Sequence, residues 1–122
     1  MSKLVPPHGS QTLKPLLLPE VERADEAERA ARLTAVPMSS RELSDLLMLA
    51  MGAYTPLDGF MGHDDWRGSC ADMKLSSGVF WPIPITLSCS QELADSIAIG
   101  ETVALASAET GERLGTLHVS EK

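Results

Sequence analysis

With 122 residues the chain has the length of one domain, able to bury roughly 65% of the surface that its unfolded form exposes. A formal net charge of −7 leaves no broad positive field for a phosphate backbone, which weighs against nucleic acid as a partner. Two cysteines, Cys70 and Cys89, lie too far apart for a metal knuckle or a redox motif, so they are expected as reduced thiols and not as a structural disulfide.

The opening residues hold a single lysine and no apolar run of signal-peptide length, and no later stretch approaches the roughly 20 apolar residues of a membrane span. A soluble, cytoplasmic protein with no membrane partner is the expectation. Residues 1–18 carry no helical period. Leu4 and Val5, and again Leu13 to Leu18, read as extended, with the turn at Gly9 and Ser10. Pro19 opens a first helix, about Pro19 to Leu33, and Glu20 and Glu22 fall in its positive first turn. Val21, Ala24, Ala27 and Ala31 mark its apolar face. That face is mostly alanine, so the helix should lie on the surface of the domain, its acid-base mixture facing solvent.

Ala35 to Met38 is a short extended lead-in to the clearest helix start in the chain. Ser39 can accept from the N–H of Glu42 while Glu42 reaches back to Ser39, a capping box. Leu43, Leu46, Leu47 and Ala50 then recur at helical spacing, predicting an amphipathic helix from about Ser40 to Met51, closed by Gly52. Met48 and Met51 extend its apolar surface. Pro56 suits the first central position of a turn and Asp58-Gly59 gives a second reversal, which together should drop Tyr54, Leu57, Phe60 and Met61 onto a neighbouring surface. Ile83 to Leu87 is the strand expected to supply that surface. Pro82 and Pro84 at its start cannot donate to a ladder, so it should begin at a sheet edge or bulge.

Between these stretches, His63 begins a short helix with an acidic first turn, on which Trp66, Cys70 and Met73 share a face. His63, Asp64 and Asp65 are adjacent and point in different directions, so they make a poor metal site. Leu75 to Gly78 reads as a reversal. Ser90 caps one or two helical turns before Gly100, and residues 101–107 and 112–119 form a hairpin around Ala108 to Gly111.

Chemistry has little to rest on here. There is no phosphate loop, no GxGxxG and no Cys or His pair at metal spacing. His8, among prolines and a glycine, reads as a loop residue bonded to backbone, and His118 as a strand residue facing solvent. Without a base, an acid and an oxyanion donor brought together, no nucleophilic site can be argued.

A series of short motifs says more than any one of them. Pro56-Leu57-Asp58-Gly59-Phe60-Met61, Asp65-Trp66, Met73 and Leu75, Gly78, and Trp81-Pro82-Ile83-Pro84-Ile85-Thr86-Leu87 resemble, in order, the N-terminal domain of ATP sulfurylase, that is, of sulfate adenylyltransferase. Pro6-Pro7-His8-Gly9 and the run Ser39 to Asp45 fit the same series, so the resemblance spans nearly the whole chain. Ser10 and Gly68-Ser69-Cys70 depart from the pattern. The resemblance implies an α+β fold, a PUA-like mixed β-barrel with peripheral helices, forming a single N-terminal domain over residues 1–122. It also implies a following nucleotidyltransferase domain that converts ATP and sulfate to adenylyl sulfate and pyrophosphate with magnesium. The family's catalytic signature, Gln-x-Arg-Asn-Pro-x-His-x-x-His, belongs to that second domain and is absent here, so no catalytic, cofactor-binding or metal residue is assigned to this chain. The implied partners are the catalytic domain of the same polypeptide and a homo-oligomer of the full-length protein, with Met48, Met51, Phe60 and Met61 as candidates for the edge of a docking surface. The alternative is a free-standing PUA-like module that binds RNA or acts as an interaction subunit.

The acidic balance separates the two. At micromolar protein in physiological salt, no binding to a generic RNA hairpin is expected in a gel-shift titration; a saturable, salt-sensitive shift would favour the RNA-binding module.

Overall fold

In the computed structural model, residues 4–122 are described. They hold seven elements: α1 Glu20–Ala30, β1 Ala35–Met38, α2 Ser40–Ala50, α3 His63–Asp72, α4 Gln91–Ser96, β2 Thr102–Ser107 and β3 Arg113–His118. These mix helix and strand as an α+β fold does. The chain divides into two compact units, one built from the residues up to Leu17 with Ser44–Thr86, the other from Leu18–Leu43 with Leu87–Lys122.

The second unit contains the sheet, in the order β1-β2-β3, with β1 parallel to β2 and β3 antiparallel to it. Val103, Ala104, Leu105 and Ala106 form an apolar run in the middle strand, and all four are buried. A strand covered on both faces is expected to read this way, without alternation. Residues 35–38, expected only as an extended lead-in to α2, pair along their whole length with β2. Pro37 has no N–H to donate, which an edge strand tolerates, and Val36 and Met38 are buried on either side of it. The hairpin expected around Ala108 to Gly111 is present, with a bulge where Leu105 pairs with Gly115 but Ala106 with Arg113.

The first unit has its own core of Leu49, Leu57, Leu75 and Ile85, against which Tyr54, Phe60, Met61, Val79 and Trp81 pack. The double bend thus delivers the side chains it was expected to. Its turn differs in detail: Leu57 N–H bonds to Tyr54 C=O, so Pro56 takes the third position, with a cis bond from Thr55. Residues 83–87, expected as a strand, form no ladder, and the stretches at the start of the described chain that read as extended form no strand. The prolines at 82 and 84 remove two of the donors a ladder would need, and Met61 takes up Ile85 instead: the Met61 N–H donates to the Ile85 carbonyl at 2.8 Å and the Ile85 N–H to Met61 Sδ at 3.3 Å.

Two helix faces also differ from expectation. In α1, Val21 is 86% exposed and Ala30 is the buried residue, because the helix is seated by polar groups: Glu26 accepts from Thr116 Oγ1, and the Arg113 guanidinium donates to the carbonyls of Ala30, the last residue of the helix, and of Leu33 beyond it. In α2, Leu47 is 52% exposed and Leu49 only 2%. The inward stripe is Glu42, Asp45, Leu49 and Gly52, since both carboxylates find their hydrogen bonds inside. Gly52 closes the helix at φ +81, and a Cβ there would meet the backbone of Pro15 at 3.1 Å.

These burials set an order of mutational effects. Leu49→Ala should lose about 2–5 kcal/mol in urea melts and Leu47→Ala less than about 0.5 kcal/mol; equal losses would mean that the stripe has been misassigned.

Candidate functional site

Two polar clusters stand out from the packing. The first surrounds Glu42, which is 3% exposed. Its Oε1 accepts from the Ser39 N–H at 3.0 Å and Ser39 Oγ at 2.8 Å, and its Oε2 from the Ser88 N–H at 2.6 Å and Ser88 Oγ at 3.0 Å. The Glu42 N–H completes the capping box by donating to Ser39 Oγ at 3.2 Å. Burial alone would push the carboxyl up from its ordinary value, but the four donors outweigh it and hold it below. The Ser39 half was legible in the spacing of the two residues. The Ser88 half was not, since 46 positions separate the partners.

The second cluster surrounds Trp81. Tyr54 meets its ring edge-on at a centroid distance of 5.6 Å, and His8 lies 6.1 Å away on a tilted ring. His8 Nε2 donates to the Phe80 carbonyl at 2.6 Å, as the sequence suggested for a loop histidine bonded to backbone. The Tyr54 hydroxyl donates to Asp45 Oδ1 at 3.2 Å. Burial, then the adjacent Asp45 carboxylate, raises the phenol above its ordinary value, so it stays protonated and serves as a donor. Trp81 Nε1 is buried without a hydrogen-bond partner among the described residues.

Neither cluster combines a nucleophile with a base and an oxyanion donor. Among the described residues no group of three His, Cys, Asp or Glu could hold a metal ion. Asp65 of the His63-Asp64-Asp65 run is engaged by the N–H and hydroxyl of Ser76, and the His63 ring lies 5.6 Å from that of Trp66. Cys70 and Cys89 are free and exposed, and His118 is exposed on β3. Of the four residues expected at a docking edge, Met51 is exposed and Met48 half-buried, whereas Phe60 and Met61 pack against the core. Met61 is drawn inward because its sulfur accepts the Ile85 N–H.

Comparison with known proteins gives a consistent result. The model of a family described as PUA-like domain matches residues 5–122. A sulfate adenylyltransferase of Syntrophobacter fumaroxidans is 58% identical over 123 residues, covering 100% of this chain and 30% of that protein. Those of Chlorobaculum tepidum and Thiobacillus denitrificans are 56% and 53% identical, again over 30% of their length. The chain therefore spans about 30% of the length of these relatives. Among solved structures, one described as a hexameric APS kinase from Thiobacillus denitrificans superposes with a TM-score of 0.81 at 37% identity, over 96% of this chain and 23% of that one.

Because the folded state holds the Glu42 carboxyl below its ordinary value, Glu42 contributes stability that is present above its unfolded pKa and lost as pH falls through the folded one. The stability gap between the protein and Glu42→Gln, from urea melts, should therefore shrink between about pH 6 and about pH 3. A gap that stays constant or widens on acidification would contradict this reading of the cluster.

Proposed function

The chain belongs to the PUA-like domain family, in the form that sulfate adenylyltransferases carry, and on that premise we propose that it is the N-terminal structural domain of such an enzyme. The single observation that carries the reading is identity of 49–58% to proteins named sulfate adenylyltransferase along essentially the whole chain, with about 30% of their length covered. Residues 1–122 would then act as one domain. The rest of the polypeptide would carry the nucleotidyltransferase chemistry: magnesium-ATP and sulfate give adenylyl sulfate and pyrophosphate, a step in sulfur metabolism.

Adenylyl transfer needs positive charge and hydrogen-bond donors fixed around the reacting phosphate. This chain offers ten basic residues in a −7 background. Arg113, Arg29 and Arg32 are engaged with backbone carbonyls or glutamates of their own unit, and Lys122 donates to the Ala94 and Ile97 carbonyls. Its contribution is accordingly a scaffold that supports the catalytic portion. That the solved structure from Thiobacillus denitrificans is described as hexameric supports assembly of the full-length protein as a homo-oligomer. Among the described residues no helix is long and apolar enough to cross a membrane.

The test compares pyrophosphate release from the 122-residue chain with that from the chain extended through the rest of its relatives' length. No adenylyl sulfate or pyrophosphate is expected from the short chain with ATP, sulfate and magnesium, and turnover is expected from the long one. Activity in the short chain would overturn the division of labour, and inactivity of a folded long form would overturn the assignment.

A further inference from the structure

Helix α3 is turned inside out for a surface helix. The side it presents to its own unit is small: Ser69 is 0% exposed, and a Cβ on Gly68 would lie 2.3 Å from the Lys74 carbonyl oxygen. The large residues face outward instead. Trp66 is 42% exposed, Met73 is 54% exposed, and Cys70 between them is exposed as well. Trp66 and Cys70, at i and i+4, lie on one side of α3 and Met73 is the residue that ends it, whereas a surface helix ordinarily turns its large apolar side chains toward its core.

The helix cannot roll to bury them. Asp65 at one end holds the N–H and hydroxyl of Ser76 at 2.8 and 2.7 Å, and at the other the Lys74 N–H bonds to the Gly68 carbonyl at 3.2 Å. Met73 itself is fixed in the left-handed region, φ 54, where its carbonyl accepts the Trp81 N–H at 2.7 Å. Tryptophan and methionine are the residue types enriched where one protein surface covers another, and charged residues are depleted there.

We infer that the exposed side of α3 that carries Trp66 and Cys70, with Met73 at its end, is the surface on which the portion of the polypeptide outside these 122 residues packs, granted the reading of the chain as one domain of a longer enzyme, on which this rests. Charge and length choose that occupant over a second copy of the chain. Two copies would bring −7 against −7, while the relatives extend well beyond the 30% of their length that this chain matches. An interface between domains of one chain is of the size that such a surface can centre.

Cys70 is a built-in reporter. The chain is grafted in place of the matched segment of the Syntrophobacter fumaroxidans relative, and maleimide labelling of Cys70 is followed by peptide mass spectrometry, with Cys89 as the reference thiol. Relative to the 122-residue chain, Cys70 labelling in the graft should slow by at least about tenfold. Labelling within about twofold of the short chain overturns the inference. Pyrophosphate release from the same graft distinguishes the two failures, since an active graft with a fast Cys70 leaves the domain reading intact. Slowing in the short chain that grows with its concentration would assign the face to a second copy and also overturn it. A measurement independent of the graft's folding uses Trp66→Ser with Met73→Ser in the short chain. Its Tm should hold; a clear drop would mean that these side chains pack within the domain itself and would overturn the inference as well.

Discussion

The Glu42 carboxylate is the interaction that ties two distant stretches of the second unit together, at Ser39 and at Ser88. One buried side chain satisfies two amides and two hydroxyls, and so fixes the start of α2 and the residue from which the chain leads toward α4. A buried carboxylate is costly unless it is fully hydrogen-bonded, and removing one partner leaves the rest unpaired. Four donors meet that requirement. The same logic recurs where cations close helices: Arg113 reaches carbonyls at and just after the end of α1, and Lys122 those at the end of α4, each from far along the chain. Cationic groups placed at helix C-termini complement the helix dipole as well as the free carbonyls.

The first unit is organised differently. Its core is apolar and its chain path irregular, so shape is set by turns: Gly52 at positive φ, the bend through Thr55 and Pro56, and the reversal in which the Gly78 N–H bonds to the Leu75 carbonyl. Around Trp81, rings and the Tyr54-Asp45 hydrogen bond complete the packing. Met61 takes the place of a strand partner for Ile85.

Local signals were legible in the sequence and distant ones were not. The capping box at Ser39 and Glu42, the Ser90 cap, the Gly52 stop and the terminal hairpin each lie within a few residues, and each is present. The parallel pairing of β1 with β2 joins residues some seventy positions apart, and four residues containing a proline carry no periodicity that would announce it. The α2 stripe was misread because leucine spacing was weighed without knowing that Glu42 and Asp45 would find partners inside. Trp66 and Cys70 lie on α3 and are both exposed, whereas Met73, expected on the same helical face, is the left-handed residue that ends the helix. Which way that face points depends on Gly68 and on the Asp65-Ser76 contact, and neither can be read from helix spacing.

The central claim is that this chain supports an adenylyltransferase without supplying a reacting group. It is tested most directly by kcat in the Syntrophobacter fumaroxidans graft carrying His8→Gln or Tyr54→Phe, the two titratable groups nearest the Trp81 cluster. The account predicts kcat within about twofold of the parent graft for both variants, because neither side chain would touch the reacting phosphates. A fall of about a hundredfold in kcat in a variant that melts like its parent would contradict it.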